Sequence, residues 1–142
     1  MNPVEAGAPG IVIEALKNRG DARGDAFDLP PHLLERLGRL AETHLVTMLP
    51  GAVRGNHLHP ETSEVLTVFH RDAWTFAWRD RRDTATQRRE FTGAGAVAIF
   101  LAPGIAHALR NSGTAEMVLT SLSNWSGVHG HAPFERVTLI GP

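Results

Sequence analysis

Short runs of apolar residues, in which apolar and polar positions often alternate, recur along the chain from Thr43 onward. Turn signals such as Pro50-Gly51 and Ser112-Gly113 separate the runs, a pattern typical of β-strands joined by tight turns. It predicts eight strands, near residues 43–49, 54–59, 64–70, 73–79, 85–91, 96–101, 106–111 and 115–122. Short strands at this spacing indicate an all-β sandwich or jelly roll.

The rest of the chain predicts few further elements. Residues 1–10 are small and contain proline and glycine, so we expect a loose lead-in. Alternation from Ile11 to Ala15 predicts a short first strand, and the stretch from Arg136 to Ile140 predicts a last one. Pro30-Pro31 predicts the start of a short helix with a leucine stripe. No repeat or linker divides the chain, so we expect residues 1–142 to form a single domain.

Composition narrows the class of protein. A net charge of -1 and a pI near 6.7 give no reason to expect nucleic acid or a membrane as partner. No apolar stretch approaches the roughly 18 residues of a membrane span, and we expect a cytoplasmic protein. The chain has no cysteine, which excludes disulfides and thiolate ligands.

The candidate chemistry lies between Gly51 and Glu64. His57 and His59 stand two residues apart, so a β-strand would point both imidazoles to one face. Glu64 begins the next apolar run, which could return antiparallel and bring its carboxylate towards the pair. Two neutral imidazoles and a carboxylate on one face can form an open site for a divalent metal.

Two motifs in this region resemble those of the cupin family. The stretch from Gly51 to Glu64 matches the first cupin motif, Gly-x5-His-x-His-x4-Glu, at every fixed position. The stretch from Gly104 to Asn111 matches the core of the second motif, Gly-x2-His-x3-Asn, and places its histidine at His107. The resemblance implies a cupin double-stranded β-helix, which is a jelly-roll barrel, here with a short N-terminal helix.

The resemblance also implies a cofactor, because metal-binding cupins hold their ion with these histidines and the glutamate. The implied ligands of one divalent metal ion are His57, His59, Glu64 and His107. Mixed nitrogen and oxygen ligands suit zinc, iron, nickel and manganese alike. A lone histidine in a strand is more often a core or surface residue than a metal ligand. The main alternative is therefore a cupin that has these residues and binds no metal.

Arg54 and Asn56 lie inside the ligand-bearing stretch. The run Arg-Gly-Asn-His-x-His resembles the version of the first motif found in cupins of sugar and capsular polysaccharide biosynthesis. That resemblance implies that Arg54 and Asn56 bind substrate, with Arg54 clamping a phosphate or carboxylate. The alternative for Arg54 is an ion pair with a local carboxylate such as Glu61.

Other residues suggest an interface or remain unassigned. Trp74, Phe76 and Trp78 alternate on one strand face, which is usual for a core or a dimer interface. Since the first strand and these aromatics suit sheet-edge pairing, we expect a homodimer. The pair in His129-Gly130-His131 is interpreted as a solvated loop, with a lid over the pocket as the alternative. His44 has no companion pattern.

These expectations favour a metal-dependent enzyme acting on a small molecule. The first choice is isomerisation or epimerisation of a sugar-like carbonyl compound, with the metal as Lewis acid. The alternatives are an Fe(II) dioxygenase acting on a small organic acid or diketone, and a non-enzymatic binding protein. Related sugar epimerases without metal use a histidine base and a tyrosine acid, and this chain has no tyrosine. The catalytic proton carrier stays unknown, with His44 or an unligated histidine as possibilities.

Overall fold

The strands predicted from alternation are present in the computed structural model. It describes the backbone of residues 5 and 6, and residues 10–125, 127, 130 and 132–142 in full. The strands of the described part are β1 Glu5–Ala6, β2 Ile11–Ala15, β3 Glu42–Met48, β4 Val53–Leu58, β5 Glu64–His70, β6 Trp74–Asp80, β7 Gln87–Phe91, β8 Gly95–Leu101, β9 Ile105–Asn111, β10 Met117–Ser123 and β11 Glu135–Arg136. A helix, α1 Pro31–Leu37, precedes β3.

The strands form two antiparallel sheets that face each other. One sheet has the order β1-β2-β8-β5-β10-β3, and the other has the order β11-β4-β9-β6-β7. Side chains from both sheets meet in the main core, among them Trp74 and Leu109 from one sheet and Ile99 and Val68 from the other. The predicted fold class, an all-β jelly roll with a short helix before the barrel strands, is confirmed.

The outer faces of the two sheets are covered differently. Leu33 and Leu37 of α1 pack against Val65 and Phe100 on the outer face of the six-stranded sheet. Residues of the C-terminal segment, including Ile140, pack on the outer face of the five-stranded sheet. Among the described residues, no helix is both long and apolar enough to span a membrane.

Both ends of the chain differ from the prediction. The last strand is only Glu135–Arg136. Val137 still donates its N–H to the carbonyl oxygen of Asn56, but Leu139 and Ile140 bind the side chain of Asn56 instead of the backbone of β4. The lead-in contains β1, which pairs with β2. His129 and His131, predicted to be in a solvated loop, lie outside the described residues.

The two features that favoured a homodimer, exposed aromatic residues on β6 and an unpaired first strand, are not found in the structure. Trp74, Phe76 and Trp78 are buried between the sheets, at most 5% exposed, so they cannot form an intermolecular contact. The strand Ile11–Ala15 is not an edge, because β1 and β8 pair with its two sides. The alternating pattern could not separate core from interface, since both use apolar residues at every second position. The homodimer itself stays a prediction.

Candidate active site

A cavity of about 230 Å³ lies between the two sheets. Its lining combines apolar side chains with polar ones, which are histidines, a glutamate, an arginine and a serine. The described lining residues are His44, Val46, Arg54, Gly55, His57, His59, Glu64, Leu66, His107, Leu109, Leu119 and Ser121. A smaller cavity of about 90 Å³ adjoins it and shares His44, His59, Glu64 and Ser121.

A β-bulge in β4 directs the polar side chains into this cavity. Gly55 lies opposite Ala108 and His57 lies opposite His107, so Asn56 is an extra residue without a partner across the ladder. In a regular strand, Arg54 and His57 would point to opposite faces because their spacing is odd. The bulge shifts the alternation, and Arg54, His57 and His59 all line the cavity.

Gly55 makes the bulge possible. Its φ is +90°, and a Cβ added there would lie 2.7 Å from the carbonyl oxygen of His107. Asn56 follows with a φ of +58°, a conformation that asparagine tolerates better than most residues. The sequence Gly-Asn before the first histidine therefore suits a bulge that packs closely against β9.

The structure brings together the four residues predicted as metal ligands. His57 and His59 come from β4 and the turn after it, Glu64 begins β5, and His107 lies in β9. The Nε2 atoms of His59 and His107 lie 3.6 and 3.8 Å from Oε1 of Glu64. The ring centroid of His57 lies 4.9 Å from the centroids of both other rings.

The surroundings of these residues keep two of the imidazoles neutral. Burial is the main cause that lowers the pKa of His57 to about 4, and the neighbouring His107 and His59 lower it further. Burial also lowers the pKa of His107, which is only 4% exposed. Neutral imidazoles keep a lone pair for a metal or for a substrate proton.

Hydrogen bonds orient two members of the cluster. Nδ1 of His59 lies 3.0 Å from the carbonyl oxygen of Pro133, which can only accept, so Nδ1 carries the hydrogen. Ser121 donates its hydroxyl to Oε2 of Glu64 at 2.8 Å. The other ring nitrogen of His59, Nε2, faces Oε1 of Glu64 at 3.6 Å.

The donor set fits a divalent metal in its chemistry. Two atoms bound to one ion at about 2.1 Å stand roughly 3.0–3.4 Å apart, slightly less than the 3.6 and 3.8 Å measured from Glu64. Within the described ranges, no group of three or more histidine, aspartate or glutamate side chains is already arranged to hold an ion. The four groups therefore lie close together, but they are not arranged around an ion.

Arg54 lies at the exposed side of the cavity. Its Nε donates to the carbonyl oxygen of Thr47 at 3.1 Å, which holds the guanidinium beside β3. The alternative partner of Arg54, Glu61, is also described, and the two side chains form no ion pair; the guanidinium binds the backbone of Thr47 instead. A guanidinium has further N–H donors, which suit a phosphate or carboxylate.

Asn56 is engaged with the C-terminal segment. Its Oδ1 accepts from the N–H groups of Leu139 and Ile140, and its Nδ2 donates to the carbonyl oxygen of Ile140. Its side-chain amide is therefore committed to the backbone of this segment. Substrate binding by Asn56 stays a prediction, and none of the contacts of its side chain supports it.

Reasoning from the sequence missed Ser121 and the partner of His44. Ser121, which orients Glu64, has no sequence signal. His44 was given no companion, yet its Nε2 lies 3.4 Å from Oε1 of Glu42. The signal was the i, i+2 spacing of Glu42 and His44, which puts both on one face of β3.

Comparisons with known proteins identify the family. The model of the polysaccharide biosynthesis C-terminal domain family matches residues 19–126, which is well over half of the chain. The chain belongs to this family. No curated protein sequence matches it.

Solved structures with the same fold include sugar-modifying enzymes. NovW, a 4-keto-6-deoxy sugar epimerase of Streptomyces spheroides, is 25% identical over 98% of this chain and 74% of its own, with a TM-score of 0.73. The RmlC epimerase of Mycobacterium tuberculosis is 17% identical over 89% of this chain and 69% of its own, with a TM-score of 0.71.

A third similar structure contains a sugar nucleotide. It is a mutant of the 3,4-ketoisomerase QdtA of Thermoanaerobacterium thermosaccharolyticum in complex with TDP-4-keto-6-deoxyglucose. It is 14% identical over 90% of this chain and 88% of its own, with a TM-score of 0.65. The chain therefore has the barrel of sugar epimerases and ketoisomerases.

Proposed function

We propose that this protein is an enzyme that isomerises or epimerises a keto sugar linked to a nucleoside diphosphate. The observation that carries the proposal is the cluster of three histidines and Glu64 in a cavity between the sheets. The same barrel serves sugar epimerases and a ketoisomerase, and the resemblance to NovW extends over 98% of the chain. Fold alone does not decide function, so the cavity chemistry is the stronger argument.

The cavity suits a sugar that has both polar and apolar parts. Val46, Leu66, Leu109 and Leu119 supply an apolar surface, which favours a deoxy sugar methyl group over a hydroxyl group. The histidine cluster supplies polar groups that can bind a carbonyl oxygen and a neighbouring hydroxyl group. A cavity of about 230 Å³ is large enough for one hexose ring but not for a whole sugar nucleotide.

The nucleoside diphosphate would therefore lie at the mouth of the cavity. Arg54 lines the cavity while remaining exposed, and a guanidinium binds phosphate oxygens through paired N–H groups. We assign Arg54 to the diphosphate. The hydrogen bond from its Nε to Thr47 holds the planar group in place for this contact.

We also propose that His57, His59, Glu64 and His107 hold one divalent metal ion. When bound, the ion would supply Lewis-acid stabilisation of negative charge on the substrate carbonyl oxygen. Burial keeps His57 and His107 neutral, while Pro133 and Ser121 orient His59 and Glu64, as outer contacts of metal ligands do. Zinc, iron, nickel and manganese all suit this donor set. The dioxygenase alternative stays a prediction from the donor set.

A direct assay tests the proposed function. Purified protein is incubated with TDP-4-keto-6-deoxyglucose, and products are separated by anion-exchange chromatography and identified by NMR. We expect a product of unchanged mass with an altered position of the carbonyl or an inverted carbon centre. Glu64→Gln, which preserves side-chain size and removes the charge, should abolish product formation. Wild-type protein that returns only unchanged substrate would contradict the proposal.

A further inference from the structure

A histidine and a glutamate on β3 lie across the cavity from the three-histidine cluster. Glu42, His44 and Val46 share one face of the strand, and His44 lines the main cavity beside Val46. Glu42 and His44 also line the smaller adjoining cavity. Nε2 of His44 lies 3.4 Å from Oε1 of Glu42, and the side chains are 48% and 26% exposed.

The two groups of histidines belong to different sheets. His57, His59 and His107 come from the five-stranded sheet, while His44 lies on β3 at the edge of the six-stranded sheet. In the register of that sheet, His44 is opposite Ser121, whose hydroxyl binds Glu64. A sugar ring in the cavity would therefore lie between His44 on one sheet and the three histidines on the other.

Any isomerisation beside a carbonyl needs a group that takes up and returns a proton. The chain has no tyrosine, and the guanidinium of Arg54 stays protonated. The hydroxyl of Ser121 is committed to Glu64. If three histidines and Glu64 serve as metal ligands, His44 is the remaining imidazole among the described residues of the cavity lining.

We infer that His44 is the catalytic proton carrier of the proposed isomerisation or epimerisation, and that Glu42 positions it. In the step assigned to His44, a C–H bond beside the carbonyl breaks and the proton bonds to the imidazole. The electron pair passes into the carbonyl as an enolate. The reverse step breaks the N–H bond and forms a C–H bond. The inference rests on the proposed function and adds the residue that moves the proton.

The charged surroundings of His44 suit this role. Glu42 is a counter-ion for the imidazolium form, and the other titratable groups that line the two cavities are Glu64, His59, His57, His107 and Arg54. Because His44 is about half exposed, it can exchange its proton with water between turnovers.

The test compares variants of this pair with a matched control. His44→Ala and Glu42→Gln are assayed with TDP-4-keto-6-deoxyglucose, with and without added imidazole. His32→Ala is the control, because His32 is also half exposed and lies 3.0 Å from a glutamate, Glu14, but neither residue lines the cavity. Thermal unfolding confirms that each variant is folded.

We expect kcat of His44→Ala to fall about 10²- to 10⁴-fold, with KM and metal content unchanged, and imidazole to restore part of the activity. Glu42→Gln should lower kcat less than His44→Ala does and should shift the pH profile of kcat. His32→Ala should have the kcat and KM of wild type. An active wild type with a fully active His44→Ala would overturn this inference alone. A folded His44→Ala whose lost activity imidazole does not restore would also overturn it. An inactive wild type would overturn the proposed function and this inference together.

Discussion

Asn56 and Ile140 are joined by hydrogen bonds in both directions. Nδ2 of Asn56 donates to the carbonyl oxygen of Ile140 at 3.0 Å, and Oδ1 accepts from the N–H of Ile140 at 3.1 Å. Asn56 is also the extra residue of the bulge that places His57 on the cavity face. The C-terminal segment and the histidine cluster therefore share one anchoring residue.

Replacing Asn56 with alanine should destabilise the fold and lower activity. The change leaves the N–H groups of Leu139 and Ile140 without their acceptor, and both residues are buried. We expect a loss of about 2–4 kcal/mol in the free energy of unfolding, measured by urea denaturation. Asn56→Gly removes the same amide but relieves the left-handed backbone, so it should cost about 1 kcal/mol less. Equal stability of Asn56→Ala and wild type would contradict this role.

Replacing Gly55 with alanine should disrupt the bulge itself. A Cβ at this position meets the carbonyl oxygen of His107 at 2.7 Å, so either β4 or β9 must move. Gly51→Ala is a matched control, since Gly51 has a φ of +87° and no atom within 4 Å of the added Cβ.

The backbone conformation alone should cost Gly51→Ala about 1–2 kcal/mol. Gly55→Ala should cost at least about 2 kcal/mol more, as overpacked sites do, and should also lose activity. Urea unfolding of both variants measures the difference, and equal costs would show that the contact with β9 is unimportant.

The pH dependence of stability should report the buried histidines. The pKa of His57 lies near 4 in the native protein, below its ordinary value of 6.5. As pH falls below about 6.5, the unfolded chain binds a proton that native His57 does not, so the free energy of unfolding decreases. For this residue the decrease ends near pH 4, and His107 acts in the same direction.

Urea unfolding of chelator-treated protein between about pH 7 and about pH 4.5 measures this dependence. His57→Asn, which does not titrate, should flatten the slope. An unchanged slope in that variant would contradict the assigned pKa.

Removing one proposed ligand should remove the metal. In His59→Ala, the ring nitrogen that faces Glu64 is lost, so we expect metal affinity to fall at least about tenfold. Elemental analysis of protein purified without an affinity tag measures the bound metal. His32→Ala, which removes a histidine outside the cavity lining, should keep its metal. Full metal occupancy in His59→Ala would show that the ligand set is wrong.

The sequence predicted that His57, His59 and Glu64 lie close together, because their positions depend on local structure. The spacing of His57 and His59 requires only a strand, and the antiparallel return to Glu64 requires only a turn. His107 was placed by its motif. The bulge was not predicted because its causes are distant in sequence: Gly55 packs against the backbone of β9, and Asn56 binds the C-terminal segment.

The buried aromatics and His44 show two other features that the sequence pattern alone could not predict. An alternating row of aromatic residues does not show which face of the sheet is inside. On β6 both faces are covered, so Ala77 is as buried as Phe76. His44 is different, because the Glu-x-His spacing was present in the sequence. Only the position of β3 at the cavity shows that this pair faces the proposed substrate site.

The central claim is that this cavity moves a proton on a carbon beside a sugar carbonyl. The most direct measurement is mass spectrometry of TDP-4-keto-6-deoxyglucose after incubation with the protein in deuterated water, against a sample without protein. We expect deuterium at a carbon next to the carbonyl with wild type, and none above background with His44→Ala. A sugar that gains no deuterium with the wild-type, metal-loaded protein would contradict it.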